Sequence, residues 1–291
     1  MLKPLILLIA LWAGSPLWAS VQTVEMPGGR SYRIDLPPAP KGAPIILGLH
    51  GGGGNPDQFA RNTGLSEPAL AQGYAVIYPA GSGRGRLAML AWNAGYCCGR
   101  AASKNIDDVA FLGAVIADAA QRFGLDATRV YLTGMSNGSM LAERYAALNP
   151  TRVKAVAGIS GTMDLSTPVT GPVPLLHIHG TADTHVPYSG GKGSAGLTAT
   201  VFSPVDGVIA AFLKADGALT GPGVQAIIDP ADDGMRVIEH EWRDAAGRPM
   251  VRLLAVEGGG HVWPGGQRSE TGGTLDINAN TEVLRFFADH P

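Results

Sequence analysis

The chain has 291 residues, of which 45% are hydrophobic and 16% charged, and its net charge is −2. An average globular chain carries about 25% charged residues, so this composition excludes disorder, and the lack of any Lys/Arg run argues against a nucleic-acid footprint. Glycine is the outlier at 41 residues, about twice the usual share and without a collagen period, so many backbone positions must be bent or closely approached.

The first 19 residues stand apart. Lys3 precedes an apolar run at 5–12, a Gly14-Ser15-Pro16 break and Leu17-Trp18-Ala19. This reads as a signal peptide cleaved after Ala19. The run is shorter than the roughly 20 residues of a bilayer span, and no later stretch is longer. Residues 20–291 are therefore expected to form an exported catalytic domain without a membrane span. Residues 32–36 alternate like a half-exposed edge strand. Residues 44–50 (PIILGLH) are a solid apolar run entering four glycines, and 74–78 are a second buried run. Asn105 reads as a helix N-cap, with Asp107 and Asp108 in the first turn where the dipole favours acids. Apolar residues recur at helical spacing from Ile106 to Phe123, and Gly124 ends the helix. A strand at 130–133 leads to a helix at 136–148. Buried runs follow at 153–159 and 173–178, a helix at 205–214, a strand at 250–256 and a last helix at 281–288. Buried strands alternating with helices predict a single-domain α/β fold, its mostly parallel central sheet covered by helices on both faces. Ligands in such sheets bind at the carboxyl ends of the strands.

The informative residues fall at those ends. Gly134-Met135-Ser136-Asn137-Gly138 joins a strand to a helix, the frame of a nucleophile elbow. The turn is tight, so its flanking positions must be tiny and the serine hydroxyl projects above the sheet. The alternative is a plain glycine turn with a capping serine. A serine nucleophile needs a base and an orienting acid, in the chain order Ser, Asp, His. Asp183 lies just past the strand at 173–178; Asp206, Asp232 and Asp233 fit less well. His261 sits in a glycine loop after the strand at 250–256, and is preferred as base over His185, His240 and His290. Oxyanion donors are expected from the N–H of Asn137 and from Gly52 or Gly53, between which the sequence does not choose. His177, His179, Asp183 and His185 lie close in sequence but match no zinc spacing. No metal and no cofactor is expected, and His177 and His179 read as structural. Cys97 and Cys98 are adjacent; in an exported chain they are read as a vicinal disulfide in preference to two thiols.

With these residues placed, the chain resembles the secreted polyhydroxybutyrate-depolymerase-like esterases, which are similar to feruloyl and acetylxylan esterases of the α/β-hydrolase fold. The resemblance rests on LHGGGGN (49–55), WNAGYCCG (92–99) with IDDVAFL (106–112), GMSNG (134–138), HGTADTHVPY (179–188) and GGGHVWPGG (258–266). It implies ester hydrolysis through an acyl-enzyme without a cofactor. It also implies that Trp92, the Cys97-Cys98 loop and Trp263 surround the pocket. Many relatives carry a further cysteine after the helix read at 205–214, where this chain has Asp216-Gly217-Ala218. No substrate-binding domain follows Phe287, so the expected partner is a soluble or oligomeric ester rather than crystalline polyester. Trp92, Tyr96, Tyr188 and Trp263 are candidate aromatic walls, each of which also suits core packing. Residues 81–104 and 184–204 are expected to build the pocket, with the glycines at 190–196 as a mobile wall. The competing readings are a peptidase on the same fold and a silent exported binding protein.

Overall fold

The computed structural model describes residues 20–83, 89–196, 198–217, 219–221, 226–267 and 272–291. The signal-peptide reading therefore lies outside the described residues, as do parts of the pocket segments read at 81–104 and 184–204. The strands are β1 (Ser20–Glu25), β2 (Ser31–Leu36), β3 (Pro44–Leu49), β4 (Ala75–Pro79), β5 (Asp126–Met135), β6 (Ala155–Ile159), β7 (Leu175–Gly180), β8 (Gly191–Lys192), β9 (Val201–Phe202), β10 (Ala226–Ile228), β11 (Arg236–Arg243) and β12 (Pro249–Glu257). The helices are α1 (Pro56–Thr63), α2 (Ser66–Ala71), α3 (Gly99–Ser103), α4 (Asp108–Phe123), α5 (Asn137–Leu148), α6 (Val205–Asp216) and α7 (Ala279–Ala288).

Ten strands form one sheet in the order β1-β2-β4-β3-β5-β6-β7-β12-β11-β10. The six from β4 to β12 pair in parallel. Antiparallel strands extend the sheet at both ends. Side chains alternate across a strand, which splits the core in two. Ile45, Leu47 and Leu49 pack with residues of α4, α5 and α6, whereas Ile46 packs with residues of α1, α2 and α7. Both faces of the central strands are thus covered, which is why they read as unbroken apolar runs.

Two local expectations are corrected. Residues 32–36 are not an edge: Tyr32 and Ile34 are fully buried and β2 lies between β1 and β4. The polar positions that suggested exposure are paired internally, with Arg33 Nε donating to Asp35 at 2.8 Å. The edge is β1, a polar and largely exposed segment. Helix α4 is capped by Asp107, whose side chain accepts from the Ala110 N–H at 2.9 Å, rather than by Asn105. Asn105 instead adopts a φ of 46° and accepts from Asn93. Asp108 is free to pair with Arg30 at 2.6 Å and to accept from the Asn93 N–H at 2.7 Å. That pairing anchors the loop before α3 to the turn before β2.

Candidate active site

The elbow takes its shape from two close approaches. Ser136 stands between β5 and α5 with φ 57° and ψ −125°, a left-handed φ that non-glycine residues rarely adopt. Its N–H donates to Ile159 O at 2.9 Å on the neighbouring β6. A Cβ at Gly138 would lie 2.2 Å from Leu49 O, and one at Gly134 would lie 2.6 Å from the Gly138 carbonyl carbon. Both glycines are there because backbone occupies the space. Asn137 opens α5, so its N–H has no intrahelical acceptor.

Next to the elbow, β3 runs into His50 and the four glycines. Burial pushes the His50 imidazole down to about 4, so it is neutral. Its Nδ1 donates to Gly51 O at 2.8 Å, and its Nε2 accepts from the Gly81 N–H at 3.0 Å. The Gly53 N–H donates to Leu90 O at 2.8 Å and the Gly54 N–H to Gly51 O at 3.0 Å. The Gly52 N–H has no acceptor among the described residues. A Cβ at Gly51 would lie 3.5 Å from Ser136 Cβ, and one at Gly52 would lie 3.7 Å from Asn137 Cβ. The loop therefore rests against the elbow, with the Gly52 N–H unspent.

Asp183 and His261 come from β7 and β12. A Cβ at Gly180 would lie 2.2 Å from Gly259 O, so the two strand ends touch through bare backbone. The Ala182 N–H donates to Gly259 O at 2.9 Å, and the Gly258 N–H donates to Thr181 Oγ1 at 3.0 Å. On that frame His261 Nδ1 lies 2.7 Å from Asp183 Oδ2. Asp183 Oδ1 accepts from the N–H groups of His185 at 2.8 Å and Val186 at 2.9 Å. Burial alone would raise the Asp183 carboxyl, but hydrogen bonds from His179 and His261 hold it well below the usual range. It is ionised at neutral pH and can only accept, so His261 Nδ1 carries a proton and Nε2 is left free. His185 stacks on His261 at 4.7 Å between ring centroids. The Ser136 hydroxyl makes no hydrogen bond to the imidazole, but the two side chains line one cavity. Such contacts are often long in unliganded enzymes.

That cavity is about 520 Å³, with apolar walls from Met135, Met140, Val186 and Phe202. A second, of about 400 Å³, shares the glycine loop and His261 and is lined further by Gln58, Asn62, Thr63 and Trp263. Of the four candidate aromatic walls, Trp263 alone faces these cavities. Trp92 is fully buried, and its Nε1 donates to His50 O at 2.8 Å. Its backbone N–H donates to Asn137 Oδ1 at 2.7 Å, and its carbonyl accepts from Asn137 Nδ2 at 3.1 Å. Trp92 is a bracket between the glycine loop and the elbow, so it cannot touch a ligand. Tyr96 donates to Thr162 O and packs edge-on against Phe202, and Tyr188 packs edge-on against His179. Both stand behind the wall. Cys97 and Cys98 are bonded to each other, and Cys98 lines the larger cavity. The roles of His50 and Trp92 escaped the sequence reading, although both lie in the quoted motifs.

Among the described residues, one trio, Asp183, His185 and His261, has ligand-type atoms within 4.8 Å of one another. Both Asp183 oxygens are already engaged by N–H donors, so an ion would have to displace them. No described helix is long and apolar enough to cross a membrane.

Residues 30–167 match the family described as esterase PHB depolymerase. NocK of Nocardia uniformis subsp. tsuyamanensis, a protein that carries an esterase name, is 31% identical over 81% of this chain and 71% of its own length. The bifunctional acetylxylan esterase/xylanase XynS20E of Neocallimastix patriciarum is 28% identical over 58% of this chain and 24% of its own length. An acetyl xylan esterase from Aspergillus awamori superposes with a TM-score of 0.61 at 15% identity, covering 93% of this chain and 99% of that one.

Proposed function

Because the chain belongs to the PHB-depolymerase-like and feruloyl esterases of the α/β-hydrolase superfamily, and is a carboxylic ester hydrolase, we propose that Ser136, His261 and Asp183 carry its reaction. The observation that supports this best is the 2.7 Å contact of His261 Nδ1 with Asp183 beside a cavity that Ser136 and His261 share. His261 Nε2 takes the Ser136 proton as Oγ attacks the ester carbonyl. The carbonyl oxygen becomes an oxyanion, held by the N–H groups of Asn137 and Gly52. The Gly53 N–H is spent on Leu90 O, which favours Gly52 as the second donor. The intermediate collapses, the C–O bond to the alcohol breaks, and His261 returns the proton to that oxygen. Water repeats the cycle on the acyl-enzyme, with His261 again as base, and releases the acid. Asp183 holds the imidazole in the required tautomer and offsets the charge that forms on it.

The two cavities suggest the substrate. The larger one, beside Ser136 and walled by Met140, Val186 and Phe202, suits a bulky acyl group. The one beyond His261, with Gln58, Asn62 and Thr63, suits a hydroxylated alcohol such as a sugar or a hydroxy acid. A feruloyl-type ester of a saccharide fits both, and hydroxyalkanoate oligomers are the second reading. Residues 1–19 direct export in this proposal. The test combines labelling and turnover. A fluorophosphonate should label the wild-type protein at Ser136 and leave Ser136→Ala unlabelled. Loss of the serine should cost at least about 10³-fold in kcat. Methyl ferulate, a p-nitrophenyl acetate and a hydroxybutyrate oligomer then rank the acyl groups. Retention of more than about 1% of activity by Ser136→Ala, against the loss expected for a nucleophile, rejects the assignment.

A further inference from the structure

Behind Asp183 lies a row of polar groups that ester hydrolysis does not use. Glu143 on α5 and His177 and His179 on β7 are all fully buried. His177 Nδ1 is 2.8 Å from Glu143 Oε1, and His177 Nε2 is 3.2 Å from His179 Nδ1. His179 Nε2 is 2.8 Å from Val186 O and 3.4 Å from Asp183 Oδ2. The row thus runs from the elbow helix to the loop that carries Asp183.

The proton count of this row is fixed by elementary chemistry. Val186 O only accepts, so His179 Nε2 bears a proton. The His177–His179 contact needs a second, because two bare imidazole nitrogens at 3.2 Å would set lone pair against lone pair. The Glu143–His177 contact needs a third for the same reason. Two neutral imidazoles supply two protons. We propose that Glu143, His177 and His179 hold one additional proton in common, which makes the three-group unit electrically neutral and lets His179 act as a fixed donor that positions the Asp183 loop.

Independent features support this arrangement. Glu143 Oε2 is buried without a hydrogen-bond partner, a position that an ionised, uncompensated carboxylate would find costly. Burial holds the His179 imidazole below its usual range, which puts the additional proton between Glu143 and His177. Among the described residues, the other polar and titratable groups facing the row are Ser139, Tyr96, Tyr188 and Asp183. Burial pushes both tyrosines up to about 12, so neither adds charge. Asp183 is then the one net charge of the row, and His261 feels a single carboxylate. The connection to Asp183 rests on the triad reading; the proton count does not.

Glu143→Gln separates the two. Its amide N–H can donate to His177 Nδ1, so every contact is satisfied by neutral groups and no shared proton is left to lose. Wild-type Tm should fall more steeply than that of Glu143→Gln as pH rises above about 6.5, the value of an unfolded imidazole. The variant should keep kcat within about threefold at pH 7, and its kcat relative to wild type should rise as pH rises. Imidazole ¹⁵N spectra of the wild-type protein at pH 7 should show one proton in the His177–His179 contact and one on His179 Nε2. Parallel Tm curves for the two proteins, or a spectrum with no proton in the His177–His179 contact, would overturn the proposal. Neither readout depends on Ser136, so a failed triad assignment leaves them interpretable.

Discussion

At the scale of single residues, space decides more than chemical character. The Cβ that alanine would add at Gly138 meets the carbonyl oxygens of Leu49 and His50 at 2.2 and 2.6 Å. Those carbonyls belong to the strand end that carries the glycine loop, so the clash cannot relax without moving the proposed oxyanion donors. Gly138→Ala should cost about 1–3 kcal/mol in stability, as overpacking does, and at least about 100-fold in kcat/KM through the misplaced donors. Gly64→Ala is the control. Gly64 has φ 63° but nothing within 4 Å of its Cβ position, so Ala there should cost about 1–2 kcal/mol for its left-handed backbone and leave kcat unchanged. Thermal melts and initial rates of the two variants check this, and a Gly138→Ala enzyme as active as Gly64→Ala contradicts it. Residue type also explains what the sequence left hidden. A tryptophan in a motif beside the elbow reads as a wall because it is aromatic and near. Nothing in its identity tells that the Nε1 donates to His50 O, which turns the ring inward. The choice between Gly52 and Gly53 was illegible for a similar reason, since it depends on where Leu90 O lies.

At the scale of elements, legibility followed burial. Strands β3, β4, β6 and β7 are covered on both faces and stand out as apolar runs. Strand β1 is polar and exposed, and α1 is short, so neither has a periodicity to read; Asn55 and Gly64, which cap α1, are its clearest signals. Helix ends also hold charges whose cost is not visible in sequence. Asp216 closes α6, where the dipole disfavours an acid. Burial pushes its carboxyl up to about 7, although the Val173 N–H donates to it at 3.1 Å, and its Oδ2 is buried without a partner. A carboxyl near 3.9 in the unfolded chain and near 7 in the fold keeps its proton longer when folded. Stability therefore falls as pH rises across that interval and then levels off. Asp216→Asn stays neutral throughout. Its Tm advantage over wild type should be small near pH 4, grow to several degrees by pH 7 and stay constant above it. Calorimetry at pH 4, 7 and 8.5 tests the sign, and an advantage of equal size at all three rejects the burial argument.

At the scale of the whole molecule, the glycine excess and the topology have one explanation. The carboxyl ends of β3, β5, β7 and β12 deliver the glycine loop, Ser136, Asp183 and His261 to the same rim of the parallel core. Four chain segments can meet there only if their backbones nearly touch, which is what the glycines at 134, 138 and 180 permit. This much was legible, because a parallel sheet fixes which ends converge. The antiparallel wings were less so, and β1 bears on processing. Among the described residues its pairing with β2 runs from Ser20 opposite Leu36 to Glu25 opposite Ser31, and cleavage after Ala19 would keep all six of these pairs. A cut seven residues later would strip β1 and present the backbone of β2, with its buried Tyr32 and Ile34, as a new edge. Exposed edges of that kind pair with other chains. On the signal-peptide reading, N-terminal sequencing of protein recovered outside the cytoplasm should read Ser20 first. A variant beginning at Pro27 should melt lower and aggregate, measured by light scattering during the melt. A secreted form that starts beyond Glu25 and stays monomeric at full activity would show that β1 is dispensable and that the cleavage reading is wrong.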